Sequence, residues 1–201
     1  TLFRSRIWDD VRTASEIKES MHKELIGDEA NLTAYYNFNE TSGTNASDSS
    51  TNTYTGTLIN MSGDEWSDVK EYDSSHMMKF DGTNDYVAIN SNAHGGDQAN
   101  ITIEAWIKTT DISGIPNIVN SSFGTHNLQF RVSGGKLELG MNTGSWQAVA
   151  SSTNVNDGIW HHVAAVKNGS AVTLYIDGVQ DGSGTINKTF TADKFHIGRS
   201  E

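Results

Sequence analysis

From residue 128 to residue 179 the chain is broken at short intervals by the few residues that tight turns demand. Gly134-Gly135, Asn142-Thr143-Gly144, Asn156-Asp157-Gly158, Asn168-Gly169 and Asp177-Gly178 each separate two apolar runs. Asn-Gly and Asp-Gly tolerate the positive φ that two-residue hairpin turns require. The segments from Leu128 to Val179 are therefore expected to be sequential antiparallel strands. Upstream, strands and turn signals also recur closely: Met77 to Phe80, the turn pair Asp81-Gly82, Tyr86 to Ile89, then Ile101 to Lys108.

Alternation assigns the faces of these strands. Ile101, Ile103, Ala105 and Ile107 point one way, and Thr102, Glu104, Trp106 and Lys108 the other. Leu128, Phe130 and Val132 repeat the pattern against Gln129 and Arg131, as Leu137, Leu139 and Met141 do against Lys136 and Glu138. Two sheets packed on such faces make a sandwich. A chain of 201 residues fills one domain well. Its wealth of Gly, Asn, Ser and Thr, its single Pro and its 35% hydrophobic content suit short strands and many turns. The expected fold is all-β, a two-sheet antiparallel β-sandwich.

One helix interrupts this pattern near the start. Thr13-Ala14-Ser15-Glu16 forms a capping box, Ala14, Ile17, Met21 and Leu25 line one face, and Gly27 is placed to end the helix. Leu2 to Trp8 before it and Leu32 to Phe38 after it read as strands. Residues 39 to 75 read mostly as turn and surface around the short apolar piece Thr57-Leu58-Ile59.

A formal net charge of −11 argues against nucleic acid or an anionic membrane as partner, since both require basic patches. The chain has no Cys, so it holds neither a disulfide framework nor a thiolate metal site. No apolar run approaches the ~20 residues that span a bilayer, and the first residues do not form a signal peptide. The chain reads as a fragment of a larger protein.

Five segments occur in an order that resembles the laminin-G-like domains of the concanavalin-A-like lectin/glucanase superfamily. They are Phe80-Asp81-Gly82-Thr83-Asn84-Asp85-Tyr86-Val87, Thr102-Ile103-Glu104-Ala105-Trp106-Ile107, Gly158-Ile159-Trp160-His161-His162-Val163-Ala164, Leu174-Tyr175-Ile176-Asp177-Gly178 and His196-Ile197-Gly198. The resemblance implies a jelly-roll form of the sandwich, with the one short helix at its N-terminal end. Arg6-Ile7-Trp8 followed by Thr13 to Leu25 resembles the strand and trailing helix that normally close such a domain. Tyr35 to Thr44 resembles the start of one. Residues 1–26 are therefore expected to be the closing strand and helix of a repeat, either a preceding one or this one in permuted form. Residues 27–201 are expected to form the sandwich. In the permuted case Leu2 to Trp8 would pair with the strand around Phe195 to Gly198; exchange between chains would instead give a dimer.

The resemblance also places the candidate sites. Asp48-Ser49-Ser50-Thr51-Asn52 stands where the family often carries Asp-x-Ser-Gly-Asn, and Asp81 and Asp85 share another turn. Asp48, Asn52, Asp81 and Asp85 are the candidate ligands for Ca²⁺, a hard cation that takes carboxylate, amide and backbone oxygens. Thr51 replaces the family's Gly, and Phe3 stands where an acidic residue is typical. The bland alternative is that these side chains simply bond their own turns. Trp66, Trp106 and Trp146 are candidates for stacking on a sugar, with Glu104 beside Trp106 as a polar partner. A core role competes for each, since Trp146 alternates with Ala148 and Ala150 as a core residue would. His161 and His162 face opposite ways on a strand and do not chelate one ion together.

Sugar-cleaving relatives use a Glu-x-Asp-x-x-Glu strand, and no such run exists here. Glu104 and Glu138 are the one pair of acids considered for a shared face. The expected function is that of a non-catalytic glycan- or protein-binding module in a secreted or cell-surface, tandem-repeat, bacterial-type adhesin. Its partners would be a glycan or a cell-surface protein, with neighbouring repeats or a strand-exchanged dimer alongside. A structural spacer without a ligand, and an accessory or diverged member of a polysaccharide-degrading enzyme, are the alternatives.

Overall fold

A computed structural model describes residues 1–62, 65–68, 76–90, 94–111, 115–121, 127–142, 144–192 and 194–199. The first part of the chain forms β1 (Leu2–Trp8), α1 (Ala14–Ser20), β2 (Leu32–Tyr36), β3 (Asn45–Ala46), β4 (Gly56–Ile59), β5 (Trp66–Asp68) and β6 (His76–Met78). The middle part forms β7 (Tyr86–Ile89), β8 (His94–Gln98), β9 (Ile101–Ile107), β10 (Asn117–Ser121), β11 (Asn127–Ser133) and β12 (Lys136–Asn142). The last part forms β13 (Trp146–Asn154), β14 (His161–Asn168), β15 (Ala171–Ile176), β16 (Val179–Thr185), β17 (Phe190–Ala192) and β18 (Phe195–Ile197).

These strands make an antiparallel sandwich of two eight-stranded sheets. The first has the order β16-β15-β14-β9-β1-β6-β5, with β2 also paired to β1; the second has the order β13-β12-β11-β10-β18-β7-β4-β3. β8 and β17 form a separate two-stranded ribbon. The faces follow the alternation. Ile101, Ile103, Ala105 and Ile107 of the first sheet join Leu128, Phe130, Val132, Leu137, Leu139 and Met141 of the second in one core. Burying each large side chain there contributes about 1.5–3 kcal/mol.

The turn at Asn156-Asp157-Gly158 departs from the expected run of hairpins. β13 ends in the second sheet, whereas β14 pairs with β9 and β15 in the first, so this turn carries the chain across the sandwich. The residues that favour a hairpin turn also serve a crossing, because both need only a sharp reversal with one positive φ, supplied here by Gly158 at 82°.

The expected pairing of β1 with the strand at Phe195 to Gly198 is corrected. β18 lies in the second sheet between β10 and β7, while β1 lies inside the first, antiparallel to β9 on one side and to β2 and β6 on the other. The reason is its composition. All seven residues of β1 are buried, Leu2 and Ile7 in the main core and Phe3 and Trp8 in clusters on the opposite face. A strand apolar on both faces is stable only where both are covered.

The capping box forms as expected. Thr13 Oγ1 accepts from the Glu16 amide at 3.3 Å, and Glu16 Oε2 accepts from the Thr13 amide at 2.7 Å. Ile17 packs on Ala164, Val166 and Tyr175, which seats α1 on the outside of the first sheet. The helix stops at Ser20, well before Gly27, and Ala14 is exposed. Arg6 of β1 takes over the C-terminal end, its guanidinium donating to the carbonyls of Ser20 at 3.0 Å and Lys23 at 2.5 Å. Gly27 serves a different purpose: at φ 99° it lies so close to the Ser49 carbonyl that a Cβ there would sit 1.9 Å from its oxygen.

Candidate functional site

Of the candidate ligand residues, Glu104 and Trp106 do share a strand face, but that face is closed. α1 and the chain that follows it lie over the outside of β9, leaving Glu104 fully buried and Trp106 4% exposed. The Trp106 indole donates to the Met21 carbonyl at 2.8 Å and packs against His22 and His162. Around Glu104 stand His162 Nε2 at 3.3 Å, Arg12 Nε at 3.7 Å and Arg6 Nη1 at 4.0 Å. Burial works to raise the Glu104 pKa, yet the His162 contact and the Arg6 and Arg12 charges outweigh it and hold the carboxylate below its usual range. At these distances the group is an ion cluster, and neither carboxylate oxygen makes a direct hydrogen bond. The expected exposure of Glu104 and Trp106 is thus corrected, because alternation separates two faces without revealing which one a helix later covers.

Trp66 is likewise a core residue, 9% exposed, with its indole donating to the Gly43 carbonyl at 2.9 Å and its ring 6.5 Å from Phe38.

The four expected calcium ligands are occupied otherwise. Asp48 Oδ1 accepts from the amides of Tyr35 (2.9 Å) and Ser50 (2.8 Å), and Oδ2 accepts from the Ser50 hydroxyl (2.9 Å) and the Tyr54 amide (2.8 Å). Asn52 donates to the Thr33 carbonyl at 2.9 Å. Asp81 Oδ1 accepts from the Thr83 amide at 2.7 Å, and Asp85 Oδ2 from the Asp81 amide at 3.0 Å. Each carboxylate is bonded to backbone amides, those of Asp81 and Asp85 within their own turn and that of Asp48 in its loop and on β2, with both Asp48 oxygens doubly engaged. Among the described residues no three His, Cys, Asp or Glu side chains gather in a way that would hold a metal ion. Asp48, Asn52, Asp81 and Asp85 do not fit a cation.

What the structure does assemble is the outer face of the second sheet. Register places Ala88, His196, Asn120, Gln129, Gly140 and Ala148 in one row across β7, β18, β10, β11, β12 and β13. In the adjoining row Arg131 of β11 lies opposite Glu138 of β12, joined through Nε at 2.7 Å and Nη2 at 2.5 Å. Arg131 Nη1 also donates to Gln129 Oε1 at 2.6 Å. Above them lies Trp146, 40% exposed, with the Arg131 guanidinium 4.3 Å from its ring centroid. The ring occupies the space over Gly140, where any Cβ would come within 1.9 Å of it. Only a glycine leaves room for the indole to lie there, and the ion pair, with Nε and Nη2 both on Glu138 Oε1, holds the guanidinium against it.

The row holds further polar groups. Asn120 is 1% exposed and its Oδ1 has no hydrogen-bond partner. His196 packs edge-on to Tyr86 at 5.0 Å, and Arg199 lies over the same ring at 4.8 Å. Burial first, then the charges of Arg199 and Lys194, push the His196 pKa down to about 4, so the ring is neutral. The exposed indole lies against the Arg131 guanidinium, which is tied to Glu138 and Gln129, and the other polar groups of the row, Gln129, Asn120 and His196, are buried. Alternation already sets Gln129, Arg131 and Glu138 apart from the core. Asn120, His196 and Tyr86 carried no such signal, because their strands are too short to show a period.

Glu104 and Glu138 do not form a carboxylate pair, for they belong to opposite sheets. His161 and His162 diverge as expected. His161 lies between Asp177 (2.9 Å) and Asp157 (3.2 Å), and His162 faces Glu104.

The sequence profile of the Laminin_G_3 domain, of the Concanavalin A-like lectin/glucanases superfamily, matches residues 81–201, more than half of the chain. The chain belongs to this family. Solved structures share the fold of this laminin-G-like domain. Domain 4 of an extracellular arabinanase from Geobacillus stearothermophilus, solved with arabinotriose, is 18% identical with a TM-score of 0.67, covering 84% of this chain and 86% of that one. The receptor-binding domain of botulinum neurotoxin D is 17% identical with a TM-score of 0.56, covering 82% of this chain. This chain spans only 46% of that toxin domain and 32% of the mouse laminin alpha1 LG4-5 structure. No curated protein sequence matches the chain.

Proposed function

We infer that this laminin-G-like domain is a non-catalytic carbohydrate-binding module of an extracellular protein, with its ligand lying across the outer face of the second sheet. The carrying observation is Trp146, an exposed indole braced over Gly140 by the Arg131–Glu138 pair. Sugar rings present apolar faces to such a plate and hydroxyls to its margin. The arabinanase domain of like fold was solved with arabinotriose, which supports a glycan as the ligand class. Glu138 is tied to Arg131 and Glu104 is sealed behind the opposite sheet, so these two acids do not act together on one face.

Calorimetric titration with arabinotriose and other neutral oligosaccharides tests this reading. Trp146→Ala should weaken binding at least tenfold, about 1.4 kcal/mol, without changing the fold. Binding that ignores Trp146→Ala would move the ligand elsewhere, and an adhesin spacer without a ligand would bind no sugar at all.

Residues 1–26 act in this reading as an integral strand and helix of this same domain, joined to it through β9 and not through β18. β1 supplies the partner of β9 over six registered pairs, and α1 covers the first sheet.

A further inference from the structure

His161 opens β14 directly after the turn that carries the chain from the second sheet to the first, and its ring is held between carboxylates from two different turns. Nδ1 stands 2.9 Å from Asp177 Oδ2, in the turn between β15 and β16, and Nε2 stands 3.2 Å and 3.3 Å from the two oxygens of Asp157, in the crossing turn. The His161 side chain is 9% exposed, whereas Asp157 and Asp177 are half in solvent, at 50% and 48%. Among the described residues no other group bonds the ring, and His162, next on the strand, faces Glu104 instead. The remaining charges at this end are Lys18 of α1, whose side chain lies beside Gly178, and Lys108 and Asp111 on the chain after β9, where the Thr109 carbonyl accepts from the Gly158 amide at 3.0 Å. The two carboxylates take opposite nitrogens of one ring and so do not converge on a point as metal ligands do. The ion that joins them is a proton.

We propose that His161 is a proton-operated clasp: with both nitrogens protonated it ties the crossing turn to the β15–β16 turn, and on losing one proton it keeps the β15–β16 turn and lets the crossing turn go. An imidazolium donates from both nitrogens and satisfies both carboxylates with charge-assisted bonds. A neutral ring has one N–H, so one carboxylate must face a lone pair, and a half-exposed carboxylate so placed turns to water. Geometry decides which one. The Asp177 contact is shorter, and Asp177 is held again through Oδ1, which accepts from the His162 amide at 2.9 Å, while its own amide donates to the His162 carbonyl at 2.8 Å. Asp157 divides longer contacts between two oxygens and otherwise accepts from the Ile159 amide of its own turn at 3.0 Å. The remaining proton therefore stays on Nδ1. Burial works to lower the His161 pKa, but the bonds and charges of Asp177 and Asp157 outweigh it and raise the value above 6.5. The clasp is thus closed at pH 6.5 and below and opens as pH rises through the folded pKa. The retained turn stays braced on α1, where Met21 and Lys18 lie against Gly178; the released turn carries Ile159, 56% exposed. The clasp belongs to the first sheet and stands apart from the carbohydrate reading.

The imidazole nitrogen resonances of the isotopically labelled protein, followed through a pH titration, test this on the unaltered chain. His161 should titrate above 6.5, and its neutral form should carry the proton on Nδ1. Across the same titration the protection of the Gly158 and Ile159 amides against hydrogen exchange, corrected for the intrinsic pH dependence, should fall about fivefold or more, while that of the His162 and Asp177 amides should hold within about twofold. Asp157→Asn replaces one anion with a neutral acceptor and should lower the His161 pKa by about half a unit or more and remove the pH dependence of the crossing turn. A His161 that titrates at or below 6.5 overturns the clasp. So does a neutral ring protonated on Nε2, or a pair of turns whose protection stays constant or changes together. An Asp157→Asn protein that keeps the wild-type His161 titration overturns it as well, because the crossing turn would then be no partner of the ring.

Discussion

Two buried titratable groups have opposite meanings for the sandwich. Glu104 is a fully buried anion among Arg6, Arg12 and His162, so replacing it leaves cations without their counter-charge. Glu104→Gln should cost about 3 kcal/mol in denaturant melts and leave sugar affinity unchanged, because the cluster lies behind the sheet opposite the ligand face. An unchanged midpoint would show that the cluster contributes nothing. His196 works through pH. Its folded pKa of about 4 lies below the unfolded value of 6.5, so between those values the unfolded chain binds a proton that the folded chain refuses. Its contribution is complete above pH 6.5 and is lost as pH falls toward 4, about 1–2 kcal/mol after solvent screening. His161 runs the other way. Burial lowers its pKa, but the bonds to Asp177 and Asp157 more than offset this and raise it, so its contribution is present below 6.5 and fades as pH rises through the folded value. Unfolding midpoints between pH 4 and 6.5 should therefore rise with pH, and the slope should shrink in His196→Asn; equal slopes would remove His196 as the cause.

At the scale of elements, β1 and α1 form one clamp. β1 fills the middle of the first sheet, its Arg6 caps the end of α1, and α1 returns to cover β14 and β15. Removing residues 1–26 should open β9 along one edge and abolish cooperative unfolding, with a matching synthetic peptide restoring it. A truncated chain that still melts cooperatively would assign the segment to a preceding repeat. The strands that could be read in the sequence are those with one dry face over five or more residues, β9, β11 and β12, where period two leaves a plain record. The burial of Glu104 and Trp106 has no local record, because Arg6, Arg12 and Met21, which close over their face, lie more than eighty positions earlier in the chain. The Asp48 loop followed the plainer of its two readings, since short carboxylates bind turn amides as readily as cations. Trp146 was legible only as an alternative, because small residues beside it on the strand look the same whether they face a core or leave space for an exposed ring.

For the molecule as a whole, the proposed ligand face and the clamp lie on opposite sheets, so under that proposal recognition and closure depend on separate residues. The central position of β1 also sets the order of events in folding. Residues 2–8 leave the ribosome early, but their partners at 101–107 follow nearly a hundred residues later, and the chain between must close as a loop before any of those hydrogen bonds form. Such distant pairing slows folding far more than it weakens the final state. Until β9 arrives, β1 is paired with β2 on one side only and presents its other edge to whatever is nearby. A sister chain being made on the same message is the competitor best matched to capture it, so dilution should govern the yield of monomer more strongly than temperature does.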